Sequence, residues 1–244
     1  MRNTKVTKAL AGCVLLALAS VGAQAATFCP NQNFDSVTPP ALPSGWTSSV
    51  ATGAATTNGW VTRAVGYADT GANSAWVDDI DDYADVTLTS PAQTVTTGTT
   101  ATITYRQSYV LWAPDARPLV NRAFNGAVLE VSIDSAAFAD IVTAGGSVAS
   151  AYTASLDPNE ANPIAATAPF NRPVWSGDSG GFTTVTATLP ASASGKNVAF
   201  RWRLGTEGGA RSHTTHSGWW IDSISFAGIS DDIFSDGFDG TCGN

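Results

Sequence analysis

Gly177-Asp178-Ser179-Gly180-Gly181 sets a serine hydroxyl among glycines, an arrangement found around nucleophilic serines in hydrolases. Such a nucleophile needs an imidazole to take its proton and a carboxylate to hold the imidazole. The two histidines, His213 and His216, both follow Ser179, and nothing around them resembles a motif that presents a catalytic base. The glycines are explained as well by a tight turn leading into the apolar-alternating stretch from Phe182 to Leu189. The turn is the expectation, and no residue is assigned a catalytic role. A hydrolase using Ser179 with His213 or His216 is the rival.

Other residues invite binding rather than bond-breaking. His213-Thr214-Thr215-His216 has the spacing of a zinc pair on a helix, but Gly208, Gly209 and Gly218 surround it and argue for a polar loop. Asp78, Asp79, Asp81, Asp82 and Asp85 form the densest run of charge. The run lacks the glycine and distal glutamate of an EF-hand loop. Some of these oxygens could hold a hard cation, with Asp79 joined by Asp35 and Asp222 as the candidate ligands and structural calcium as the natural choice. Solvated loop acids explain the run equally well. Tyr109 and Trp112, with Arg117 near them, are the candidate binding aromatics, because an exposed ring beside a guanidinium stacks on sugar faces or anchors a protein partner.

The elements that must position these groups are strands. After Ala26 no convincing helical period appears, and short period-two runs alternate with Gly, Pro, Asn and Asp turns. The runs are Trp60 to Tyr67, Asp85 to Thr89, Thr100 to Gln107, Ala127 to Asp134, Phe182 to Leu189, Val198 to Leu204 and Trp219 to Phe226. Val198, Phe200, Trp202 and Leu204 face one way while Arg201 and Arg203 face the other, as in a strand with one side in a core. In Trp219 to Phe226 both parities are apolar, so either both faces are covered or a bulge near Asp222 and Ser223 switches them. Ser108 to Asn125 and Gly145 to Pro173 lack periodicity and read as long loops. The fold class is all-β: a jelly-roll β-sandwich of two antiparallel sheets, following a cleaved signal peptide.

That signal is written in the first 25 residues: Arg2, Lys5 and Lys8, the apolar stretch from Val14 to Val21, then the small-x-small site Ala23-Gln24-Ala25. Leu10-Ala11-Gly12-Cys13 looks like a lipoprotein box, but Cys13 precedes the apolar run instead of following it. Cleavage removes three of the 12 basic residues, leaving nine against 20 acidic ones and a net charge of −11. So acidic a surface repels nucleic acid and anionic lipid, and no membrane insertion is expected after cleavage. Cys29 and Cys242 remain, and an even pair in an exported protein is expected to form a disulfide.

Asn33-Phe34-Asp35 with Leu42-Pro43-Ser44-Gly45-Trp46 resembles the opening of bacterial jelly-roll modules of the choice-of-anchor and cleaved-adhesin type, which are MAM-like domains. Ser74 to Pro91, Gly126 to Asp134, Trp175 to Gly181, Phe200 to Leu204 and Gly218 to Ile224 fit the same pattern in order. The family often has Asp-Gly-Gly where this chain reads Asn125-Gly126-Ala127, and a second acid where Ser223 follows Asp222. Ile233 to Asp239 resembles a short tail of many exported Gram-negative proteins. The resulting layout is a signal peptide over 1–25, a jelly-roll domain over 26–228 and an Asp/Gly-rich tail over 229–244. The expected product is a secreted or periplasmic, non-catalytic adhesion or recognition module for glycans or cell-surface proteins, with a purely structural envelope protein as a further alternative.

Overall fold

The computed structural model describes residues 31–53, 58–64, 67–113, 122–157, 161–165, 172–208 and 217–230. The signal segment, Cys29, Cys242, Arg117, His213, His216 and the tail beyond Ser230 lie outside the described residues. In chain order the strands are β1 (Thr47–Thr52), β2 (Val61–Arg63), β3 (Ser74–Val77), β4 (Ala84–Thr89), β5 (Gln93–Thr94), β6 (Thr102–Leu111), β7 (Arg122–Ala123) and β8 (Gly126–Ile133). Then follow β9 (Ala139–Asp140), β10 (Ser147–Val148), β11 (Ala154–Leu156), β12 (Pro173–Val174), β13 (Gly177–Asp178), β14 (Thr183–Thr188), β15 (Asn197–Thr206) and β16 (Gly218–Ala227).

Two antiparallel sheets stack face to face. The first runs β1-β4-β15-β8-β9, with β5 on β15; the second runs β10-β14-β6-β16-β3-β2, with β13 on β6. The eight principal strands alternate strictly between the layers: β1, β4, β8 and β15 in one, β3, β6, β14 and β16 in the other. Each step from one principal strand to the next therefore crosses the sandwich. The all-β sandwich of two antiparallel sheets read from the sequence is the one observed.

The core follows the predicted parities. Val198, Phe200, Trp202 and Leu204 are buried between the sheets, as are Ala101, Ile103 and Tyr105 of the second layer. Trp46 stacks on Trp202 with centroids 5.5 Å apart, and Tyr105 meets Trp202 edge-on. Both expectations for β16 hold at once. Trp219 and Ile221 enter the core, Trp220 is covered on the opposite face, and the register shifts between Asp222 and Ser225. Ser223, at φ 50°, makes the bulge that returns Ile224 to the core.

A third, small sheet, β12-β11-β7, lies outside this sandwich. Its apolar residues Ala123, Leu156 and Val174 pack with Ile164 onto Val128, an outward-facing side chain of β8. Thus Ser108 to Asn125 and Gly145 to Pro173, expected as loops, supply the strands of a cap. Past Gly228, Ile229 bridges Val95 and the Ser230 N–H bonds the Thr94 carbonyl at 2.7 Å.

Candidate recognition site

The cap is seated by two glycines. Gly126 of β8 and Gly205 of β15 are cross-strand partners on the first sheet. A Cβ on Gly126 would lie 2.7–2.8 Å from three Val174 atoms, and one on Gly205 would meet Ile164 at 2.8 and 2.9 Å. Their lack of side chains lets the cap lie directly on the sheet. Asn162 ties it down by donating to the Phe124 and Gly205 carbonyls at 2.7 and 2.9 Å.

Beside the cap, the outward parity of the first sheet is charged. Glu130 of β8 sits opposite Arg201 of β15 and is only 2% exposed. Its Oε1 accepts from Arg172 at 2.9 Å and Arg203 at 3.3 Å, while Oε2 accepts from Arg201 Nε at 2.6 Å. Arg203 also forks onto Asp85 at 2.8 and 2.7 Å. Burial pushes the Glu130 carboxyl up, but the Arg172 hydrogen bond and the charges of Arg201, Arg203 and Arg172 outweigh it and hold the group below the usual glutamate range.

A cavity of about 420 Å³ opens above this network, between the cap and the turn that begins with β9. Phe138, Val142, Tyr152 and Pro173 give it apolar surface; Glu130, Asp140, Arg172 and Arg203 give it polar groups. The Tyr152 hydroxyl donates to Asp140 Oδ2 at 2.7 Å, joining the two walls. Burial, followed by the Asp140 charge, raises the Tyr152 phenol well above its ordinary range, so it stays a donor. The Arg201 guanidinium lies 4.2 Å from the Phe138 ring centroid and braces it. At the rim Val142 is 51% exposed, the most open large apolar side chain among the described residues. The volume and the mix of aromatic, aliphatic and converging polar groups suit a small-molecule or sugar-sized ligand.

The aromatics expected to bind are placed elsewhere. β6 runs on through Leu111, so Tyr109 is a strand residue in the core, 4% exposed, with no ring face open for stacking. Trp112, just past that strand, is half-buried and packs edge-on against Phe124 at 4.2 Å. The strand extends past Gln107 because β16 pairs with Ser108, Tyr109 and Val110. β13 and β14 both pair with β6, and the glycine turn between them bulges away. Across that gap Ser179 Oγ accepts the Tyr109 N–H at 2.9 Å and donates to the Gly181 carbonyl at 2.8 Å. The hydroxyl completes a sheet.

The three candidate metal ligands do not gather at one place. Asp35 Oδ1 accepts the N–H groups of Ala72 and Asn73, both at 2.8 Å, and Asp222 Oδ2 accepts those of Asp69 and Thr70 at 2.8 and 3.1 Å. These two acids flank one loop. Asp79 instead accepts from the Trp112 N–H and from Asn125. Since Val77 pairs with Trp219, Asp79 lies about five residues along β16 from Asp222, roughly 16 Å at ~3.3 Å per residue. The sequence put these acids together because strand register, not acidity, decides which of them meet. Among the described residues no three His, Cys, Asp or Glu side chains are grouped to hold a metal ion.

The residues of the cavity were not singled out from sequence, although Arg201 and Arg203 on one parity of a strand were a usable signal. No protein-family model matches the chain, and no curated protein matches its sequence. Among solved structures, the K2 cleaved adhesin domain of Lys-gingipain is similar at 17% identity and TM-score 0.43, covering 81% of this chain and 98% of that one. The enzymatically active domain of tailspike protein 4 of bacteriophage CBA120 is similar at 12% identity and TM-score 0.39, over 77% of this chain and 20% of that one. Carbohydrate-binding modules of a β-sandwich superfamily are similar at 12% identity and TM-score 0.34, over 75% of this chain and 57% of theirs.

Proposed function

We propose that this chain is an exported, non-catalytic recognition module whose ligand site is the cavity above Glu130, and that it binds glycans or cell-surface proteins. The carrying observation is the cavity itself: an aromatic and aliphatic wall facing a network of charges already fixed by one another. Preorganised polar groups beside apolar surface favour binding over reorganisation. Glu130 is unsuited to act as a general acid. A sugar-cleaving carboxylic acid must stay protonated near neutral pH, whereas three arginines hold Glu130 ionised. Ser179, the rival nucleophile, spends its hydroxyl proton on a backbone carbonyl.

Labelled full chain incubated with a panel of bacterial and animal cells tests this reading. Saturable binding that falls in a Val142→Glu variant supports it, since that exposed rim position tolerates the change without unfolding. Saturable binding unchanged in the variant moves the site elsewhere. No binding to any surface leaves the chain as a structural envelope protein.

A further inference from the structure

Resting on that reading, we infer that the cavity takes an uncharged sugar ring in preference to an acidic one. The charges of the guanidiniums that would clamp a uronate or sialate carboxylate are already offset by carboxylates. Arg203 gives Nε and one terminal nitrogen to Asp85 and the other to Glu130. Arg172 gives one terminal nitrogen to Glu130 and the other to the Ile164 carbonyl. Arg201 is held by Glu130 and stacked on Phe138. Three arginines thus face Glu130, Asp85 and Asp140, and the network is balanced to zero net charge. Each guanidinium keeps N–H donors beyond these bonds, but an acidic ligand would bring a fourth negative charge to three cations already matched by three carboxylates. A cationic ligand would meet the guanidiniums.

A neutral ring incurs neither cost. Asp140 accepts one bond at each oxygen, from the Val142 N–H at 3.0 Å and the Tyr152 hydroxyl at 2.7 Å. An ionised carboxylate has about four acceptor positions, so lone pairs remain for ligand hydroxyls. Phe138, Val142 and Pro173 supply the apolar surface against which the C–H face of a pyranose packs. Hydroxyls that both donate and accept match a wall carrying carboxylates and guanidiniums together.

The test is an array of neutral, uronate-containing and sialylated oligosaccharides, followed by titration of the strongest ligand at low and high salt. The expected result is binding of neutral glycans with little salt dependence, weakened about tenfold by Asp140→Asn through loss of charge-assisted bonds, and abolished by Val142→Glu. Val142→Glu keeps the test decisive should Asp140→Asn disturb the turn. Binding confined to acidic glycans, falling with salt and lost in Val142→Glu, overturns the neutral-ring inference and leaves the recognition reading standing. Absence of all glycan binding alongside Val142-sensitive cell binding also overturns it, pointing to a protein partner. Absence of both overturns inference and reading together.

Discussion

Two buried carboxylates, one on the outer face of each sheet, are driven in opposite directions by what surrounds them. Glu130 on the first sheet is buried among Arg172, Arg201 and Arg203, and the net effect of burial and cations is a lowered pKa. Asp222 on the second sheet is fully buried. Burial is the largest influence on it; the N–H groups of Thr70, Ser223 and Asp69 pull the other way, the Asp35 charge adds to the rise, and the group reaches about 6. The guanidinium of its cross-strand neighbour Arg106 is bonded to Asp69 at 2.9 Å. Three amide dipoles do not replace three full charges. The first face is therefore a fixed ionic platform, and the second holds an acid close to its tipping point.

The largest effect should come from breaking the first side of this comparison. Glu130→Ala leaves three guanidiniums facing one another without their carboxylate and should lower the unfolding free energy by about 3–5 kcal/mol in a urea titration. In the native chain Glu130's contribution is complete above the ordinary glutamate range and is lost as the pH falls through its lower folded value. Acid should therefore cost wild type more stability than a Glu130→Gln variant.

Asp222 sharpens the comparison through the opposite sign. Its folded pKa lies above the unfolded one, so its contribution is complete below about pH 4 and is lost as the pH rises through about 6. Stability of Asp222→Asn relative to wild type should climb between pH 4 and 7 by up to about 3 kcal/mol, measured by urea titration at each pH. A difference flat in pH would show that Asp222 is not under strain.

Smaller changes probe the backbone that positions each face. Gly126→Ala drives a methyl into Val174 and should cost about 1–3 kcal/mol by thermal melting while lifting the cap away from the Glu130 network. Ser179→Ala on the second sheet removes the acceptor for the Tyr109 N–H and the donor to the Gly181 carbonyl, a loss of about 1–2 kcal/mol. A broad hydrolase substrate panel should give the same result for this variant as for wild type. Activity present in wild type and abolished in the variant would restore the nucleophile.

The sandwich was legible because its core is written as strict alternation: Val198, Phe200, Trp202 and Leu204 face inward and Arg201 and Arg203 outward. The conflict of parities around Asp222 also announced the bulge. The cap was not legible, since strands of two or three residues such as β7, β11 and β12 are too short to show a period. β1 escaped for another reason: every residue in it is exposed, so it carries no alternation. For the site, the charges of Arg201, Arg203 and Glu130 are visible as residues, but their convergence depends on the β8–β15 register, and the third cation, Arg172, arrives from the cap. Tyr109 reads as a loop residue because Gln107, buried on the inward parity between Tyr105 and Tyr109, breaks the apolar alternation; its Oε1 accepts from Trp219 Nε1 at 3.0 Å.

Ligand contact should fall on the cavity above Glu130. Amide-resolved NMR of the full chain, titrated with the strongest neutral glycan from the array, should shift signals from Phe138 to Thr143, Tyr152 and Arg172. Shifts confined to Tyr109 through Trp112, or to the loop from Asp69 to Asn73 beside Asp222, would contradict it.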